Sequence, residues 1–269
     1  MSSAAELFAR RELLWNLTLR EIRGRYKRSV LGWTWSMLNP LATMGIYTFV
    51  FGVVLKGQPP LGNPSGLKVY ALFLICGLLP WNFFAVSVSV GMASIVSNGG
   101  LVKKVAFPRE HLVISTVVAG LWTFGIELGV LSVVLLIAGN MVLPWLPLVI
   151  VAAFLTAVFA TGIGLALAAA NVYFRDLTYL WGIVVQAWFF GTPLVYKPED
   201  VKGRVPDWLF RILNDLPMAV VARIFRALLY DLRMPRLIDF AMLTGYGVLT
   251  ITFGWWLFDR LEGRFAEEL

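Results

Sequence analysis

Six apolar runs, each near the length of a bilayer-spanning helix, leave this chain few ways to fold. They lie at about 33–55, 69–91, 112–138, 145–170, 178–196 and 237–258. A helix needs ~20 apolar residues to cross the hydrocarbon core, and in lipid every backbone polar group must be satisfied within the segment. The runs therefore predict an all-α integral membrane protein with six transmembrane helices. Composition agrees. Hydrophobic residues make up 59% of the 269 and charged residues 14%, where a soluble domain carries about 25% charged residues. The spans use most of the chain, and no soluble catalytic domain of ordinary size fits beside them.

Ahead of the first run, residues 6–28 fit an amphipathic helix. Phe8, Trp15, Leu19, Ile22 and Tyr26 fall in one arc at helical periodicity, while Arg10, Arg20, Lys27 and Arg28 point elsewhere. Such a helix lies on the inner leaflet or belongs to a small cytosolic cap. Leu13, Leu14 and Leu17 fall off the stripe and offer a second face to protein. Residues 1–32 thus read as a cytosolic interfacial helix and 33–269 as a six-span domain. The charged, polar start holds no compact apolar core, so a cleavable signal peptide is not expected.

Lysine and arginine set the orientation. Seven precede residue 33, three lie in the 98–111 loop, Arg175 follows the fourth run and two close the chain, which makes thirteen on one side. The other side carries Lys56, Lys68 and eight between Lys197 and Arg236, ten in all. The seven basic residues just before the first span place both termini in the cytosol. The net charge of +7 suits anionic headgroups and topology better than nucleic acid. Paired tryptophans, Trp33 with Trp35 and Trp255 with Trp256, fit the interfacial belt, and Asn39-Pro40 predicts a kink in the first span. In the fourth run Ala153, Ala157, Ala160, Gly164 and Ala168 form a small-residue seam suited to close helix packing, with a weaker Gly125-x-x-x-Gly129 in the third. Both read as packing within the chain. The external 197–236 connection carries two short amphipathic helices. In the second, Val221, Ile224, Phe225, Leu228 and Leu229 oppose Arg223 and Arg226. They either dip into the outer leaflet or rest on it as a cap.

Chemistry-bearing motifs are scarce. No Gly-Lys dipeptide, Asp-x-Asp pair, His-Glu-x-x-His or Gly-x-Ser-x-Gly occurs. One cysteine, Cys76, excludes an intrachain disulfide, and one histidine, His111, argues against a metal or catalytic cluster; no metal site is expected. Glu127 is the one acidic residue deep in a span, and it reads either as a functional group or as a hydrogen-bond acceptor between helices. Arg175-Asp176 reads as a turn with a local ion pair, or as a contact point for a cytosolic partner. Trp81, Phe83, Phe84, Trp188, Phe189 and Tyr196 are flat aromatic faces that stack on sugars, or else belt and core residues. The loop from Asn98 to His111 is short and basic, bounded by Gly99-Gly100 and Pro108. It holds about two turns of possible helix, too short to stand alone in water. It is either a topology signal or a helix that docks on a partner.

Four blocks carry a resemblance. They are Arg25-Tyr-Lys-Arg-Ser-Val-Leu-Gly32 with Trp35 and Asn39-Pro40, Leu101-Val-Lys-Lys-Val-Ala-Phe-Pro-Arg-Glu110, Asn171-Val-Tyr-Phe-Arg-Asp176, and Phe265-Ala-Glu-Glu-Leu269. Together they resemble the permease subunit of type-2 ABC exporters of cell-surface polysaccharide, such as O-antigen, teichoic acid or galactan. The resemblance implies a multi-pass protein of the bacterial inner membrane. It implies two permease copies, two copies of a separate ABC ATPase that holds the ATP and Mg, no cofactor on this chain, and two re-entrant helices before the last span. The 98–110 loop would be a coupling helix, with Phe107 as anchor, Leu101 on its apolar side, and Lys103, Lys104 and Arg109 at the rim. Arg175 and Asp176 would add a second contact. The aromatics would line the path of a polyprenyl-pyrophosphate-linked polymer. Ala106 stands where many relatives would carry an aromatic. An integral-membrane transferase acting on polyprenyl-linked sugars is the alternative, and the missing clustered carboxylates argue against it.

Overall fold

The computed structural model describes residues 11–26, 31–32, 34–54, 60–195, 203 and 205–269. The expectations for Phe8, Lys27, Arg28, Trp33 and Tyr196 fall outside them. Helices dominate: α1 (Arg11–Tyr26), α2 (Thr34–Tyr47), α3 (Tyr70–Ser97), α4 (Gly99–Lys104), α5 (Glu110–Ile137), α6 (Leu146–Tyr173), α7 (Leu177–Gly191), α8 (Asp207–Asp215), α9 (Pro217–Phe225), α10 (Leu237–Leu261) and α11 (Phe265–Glu268). Helix α2 runs on as a π-helix over Thr48–Val54, and α9 as another over Arg226–Asp231.

Four helical stretches are long and apolar enough to cross a membrane: Tyr70–Ser97, Glu110–Ile137, Leu143–Tyr173 and Leu237–Arg264. Each of the first two has 28 residues, about 42 Å at 1.5 Å per residue, so it overshoots a hydrocarbon core of about 30 Å. The expected run at 178–196 appears as a helix of 15 residues, about 22 Å long. It stops because Thr192-Pro193 follows, and proline cannot continue the hydrogen-bond ladder.

Helix α6 is the hub, packed most extensively against α10 and then α3. The sequence seam is buried throughout, from Ala153 to Ala168, and at Gly164 it meets α5: an added Cβ would sit 3.3 Å from Val113. The α6–α10 contact uses another residue. A Cβ on Gly162 would lie 2.3 Å from the Thr250 carbonyl carbon, and one on Gly254 would lie 2.1 Å from the Gly162 carbonyl oxygen. Only glycine permits that approach. Gly125 and Gly129 behave otherwise: nothing lies within 4 Å of either. The expected packing there is not found among the described residues, because both glycines lie on an exposed face of α5.

Helix α1 lies against α5. Leu17, Thr18 and Ile22 are buried, whereas Trp15 is 58% exposed. The face aimed at protein is therefore the Leu13–Leu17 side, joined by Ile22 from the expected interfacial stripe. The stretch from Met218 to Tyr230 also differs from a surface amphipath. Nearly all of it is buried, in the same core cluster as α3 residues. Its arginines point inward. Arg226, 9% exposed, donates to the carbonyls of Phe73, Pro193 and Leu194 and lies 3.9 Å over the Phe73 ring. Arg223 and Arg236 both donate to Asp239, which is 2% exposed at the start of α10. At the same end Tyr230 donates its hydroxyl to the carbonyls of Pro60 and Leu67, and Asn140 donates to Leu229.

Candidate functional site

The 98–111 loop joins α3 to α5, and Asn98 makes its corner. The Asn98 carbonyl accepts from Leu101 and Val102, its side-chain amide donates to Ser94, and its Oδ1 accepts from Arg20 at 2.9 Å. Six residues then form α4. A helix this short needs a surface, and it has one within the chain. Val102 is 3% exposed in a second core with Leu17, Leu112, Leu165, Phe258 and Phe265, and Leu101 and Phe107 pack on its edge.

The C-terminus closes this core from below. Phe265 is fully buried, with the rings of Phe258 and Tyr173 at 5.4 and 6.3 Å. Arg109 donates to the Glu262 carbonyl and holds its guanidinium 5.8 Å from the Phe265 ring centre. Tyr173 donates to the Leu261 carbonyl at 2.8 Å, and Leu269 lies against Gly99. Phe107 and Arg109 are thus half-buried and turned partly inward. The exposed residues of the loop are Gly100, Lys103, Lys104, Val105 and Ala106, with Val105 at 50%. Sequence periodicity could not show this, since the supporting residues come from the far end of the chain.

Arg175 and Asp176 are exposed in the turn between α6 and α7, beside a groove of about 650 Å³ that Glu268 also lines. Among the described residues they form no ion pair with each other. The turn is held instead by Asn171, which is 4% exposed, accepts from Thr178 and donates to the Met92 carbonyl.

The aromatics separate into two groups. Trp81, Phe84, Trp188 and Phe189 cluster with Phe159; Trp81 is 3% exposed and Phe84 fully buried, with centroid separations of 5.2 to 6.5 Å. Trp188 Nε1 is buried there without an acceptor among the described residues. Phe83 stands apart, stacked on Phe124 at 4.8 Å and 8°. It borders a cavity of about 180 Å³ that also meets Arg25 and Glu127. Glu127 makes no hydrogen bond or ion pair with any described residue. Sequence reading singled out Glu127 but not Arg25, which reaches α5 by donating to Thr123 at 3.3 Å.

The family model for the ABC-2 type transporter matches residues 12–230. The chain is 31% identical over 264 residues to an O-antigen export system permease protein RfbA of Myxococcus xanthus, covering 98% of each. It is 32% identical over 260 residues to the protein of that name in Klebsiella pneumoniae, covering 96% of this chain and 95% of the relative. It is 33% identical over 86 residues, 32% of this chain, to the polysialic acid transport protein KpsM of Escherichia coli. With a family match across most of its length, and relatives that align from end to end, this chain belongs to the ABC-2 type transporter family.

Proposed function

We propose that the chain is the permease of an ATP-driven exporter that moves a polyprenyl-pyrophosphate-linked polysaccharide, of O-antigen type, from the cytosol across the inner membrane. The observation that carries this is the likeness to an O-antigen export system permease protein over 98% of both chains. In this reading the chain is a transport subunit. Two copies pair with each other and with two copies of a separate ATPase, which holds ATP and Mg. Six spans cross the bilayer, α2 and α7 included, and the α8–α9 segment enters from the outside as a re-entrant pair.

The loop at 98–110 fits the coupling role because it joins two long spans and is braced on one side. A nucleotide-driven change can shift the spans only through contacts that differ between states. A braced α4 passes displacement to α3 and α5 rather than absorbing it. Lys103, Lys104 and Val105 meet the ATPase, with Arg175 and Asp176 as a second contact. The test is deletion of the gene followed by assay of surface polysaccharide, with complementation by the wild-type chain and by a Lys103→Glu, Lys104→Glu double variant. Wild type should restore export, and the double variant should insert normally yet fail to hold the ATPase. Surface polysaccharide that persists without the chain would refute the reading.

A further inference from the structure

We propose that the cavity between α2, α3 and α5 is a sugar subsite that receives one neutral monosaccharide unit of the polymer, an inference that rests on the export function proposed above. The cavity has a volume of about 180 Å³, room for about six waters at ~30 Å³ each or for one pyranose ring. Arg25, Asn82, Thr43, Ser87 and Glu127 line it, with the Phe83–Phe124 stack alongside. Two of these groups make no hydrogen bond among the described residues. Glu127 forms no hydrogen bond or ion pair with a described residue, though the Arg25 charge acts on it across the cavity. Ser87, 1% exposed, has a buried hydroxyl with no hydrogen bond to a described residue. A Cβ on Gly120 would stand 2.5 Å from that hydroxyl oxygen, so the glycine opposite keeps its place open. A carboxylate inside a span is costly unless something satisfies it.

The charges select the ligand. One guanidinium and one carboxylate face the same space. A phosphate would meet Glu127 unfavourably, and a metal cation would meet Arg25. A neutral polyhydroxylated ring suits both, since hydroxyls donate to a carboxylate and accept from a guanidinium or amide. An aromatic face beside them suits the apolar side of a sugar. A zwitterionic lipid headgroup is also neutral overall, but depth argues against it. Glu127 lies ten residues before the end of α5 at Ile137, about 15 Å. A centred α5 overhangs the core of about 30 Å by about 6 Å at each end, so the carboxylate sits about 9 Å inside the hydrocarbon, below headgroup level.

The test uses the assembled exporter in cells that make the polymer. A photo-crosslinking amino acid is placed at Val86, on the cavity rim, and in a control at Ile150, 68% exposed on the outer face of α6. Irradiation should give a periodate-reactive sugar adduct at 86 and none at 150. Glu127→Gln should cut both that adduct and export at least tenfold at unchanged chain level, and Ser87→Ala should cut them less. Export at the normal rate with only lipid or protein adducts at 86 would overturn the subsite while leaving the exporter reading intact. So would Glu127→Gln with wild-type adduct and export. Surface polysaccharide that does not depend on the chain at all would sink both.

Discussion

Phe265 is fully buried, and two rings and one guanidinium converge on it. Cutting it back removes their common contact, so Phe265→Ala should destabilise the purified chain by about 3–5 kcal/mol. Thermal unfolding measures this, and Phe265→Leu should lose less. Lys103 is its counterpart on the exposed side. Lys103→Ala should leave unfolding within about 0.5 kcal/mol of wild type. It should weaken co-purification of the ATPase, by an amount that shrinks as salt rises. The reverse pattern, a stable Phe265→Ala with a destabilised Lys103→Ala, would reject the division into brace and contact. The same contrast separates what was legible at residue level from what was not. A short helix over residues 101–104 was legible because glycine and proline bound the loop, whereas its role was open between a topology signal and a docking surface. Which of its residues faced outward depended on Phe265 and Glu262, and no local pattern encodes that.

Helix α6 meets α10 at glycines, and this contact carries the next test. An added methyl on Gly162 would collide with backbone, which cannot rotate aside, so Gly162→Ala should lower stability by roughly 1–3 kcal/mol. Gly125 has open space around it, and Gly125→Ala should be neutral or gain up to about 1 kcal/mol from helix propensity. Comparing the two unfolding temperatures decides the matter, and equal losses would contradict the packing. The spans and the five-residue seam were legible because apolar length and small-residue spacing repeat along one helix. Gly162 was not, since its partner Gly254 lies on another element. A spacing of seven between Gly247 and Gly254 was the only signal on offer. Arg223 and Arg226 show the same limit. Periodicity put them on an outward polar face, but the α7 stop leaves Pro193 and Leu194 carbonyls outside any helix ladder, and Arg226 turns inward to them. Asp239 takes both Arg223 and Arg236. Asp239 is buried, but Arg223 and Arg236 are 24% and 63% exposed at their side chains. Water can therefore reach the cations that Asp239→Ala leaves behind, and the same unfolding assay should show a loss of about 1–3 kcal/mol.

Across the whole molecule, two knots of interaction close opposite ends of the bundle. Around Phe265 the loop 98–111, the end of α6 and the C-terminus meet; around Tyr230 and Arg226 the residues near 60–67, 140 and 193 meet. The topology proposed from the positive-charge count would put the first knot in the cytosol. Cys76 is the sole cysteine and fully buried, so new thiols report without background. An impermeant maleimide applied to intact cells should label Asp207→Cys and not Glu267→Cys. The opposite result would invert the topology. The C-terminal knot also has a consequence in time. The ribosome releases residues 98–110 well before the turn around Phe265. A nascent chain can therefore thread every span into the bilayer and still hold an unbraced loop. A chain truncated before Phe265 would remain in the membrane without offering the ATPase a rigid surface, so recruitment of the motor would wait for the turn around Phe265.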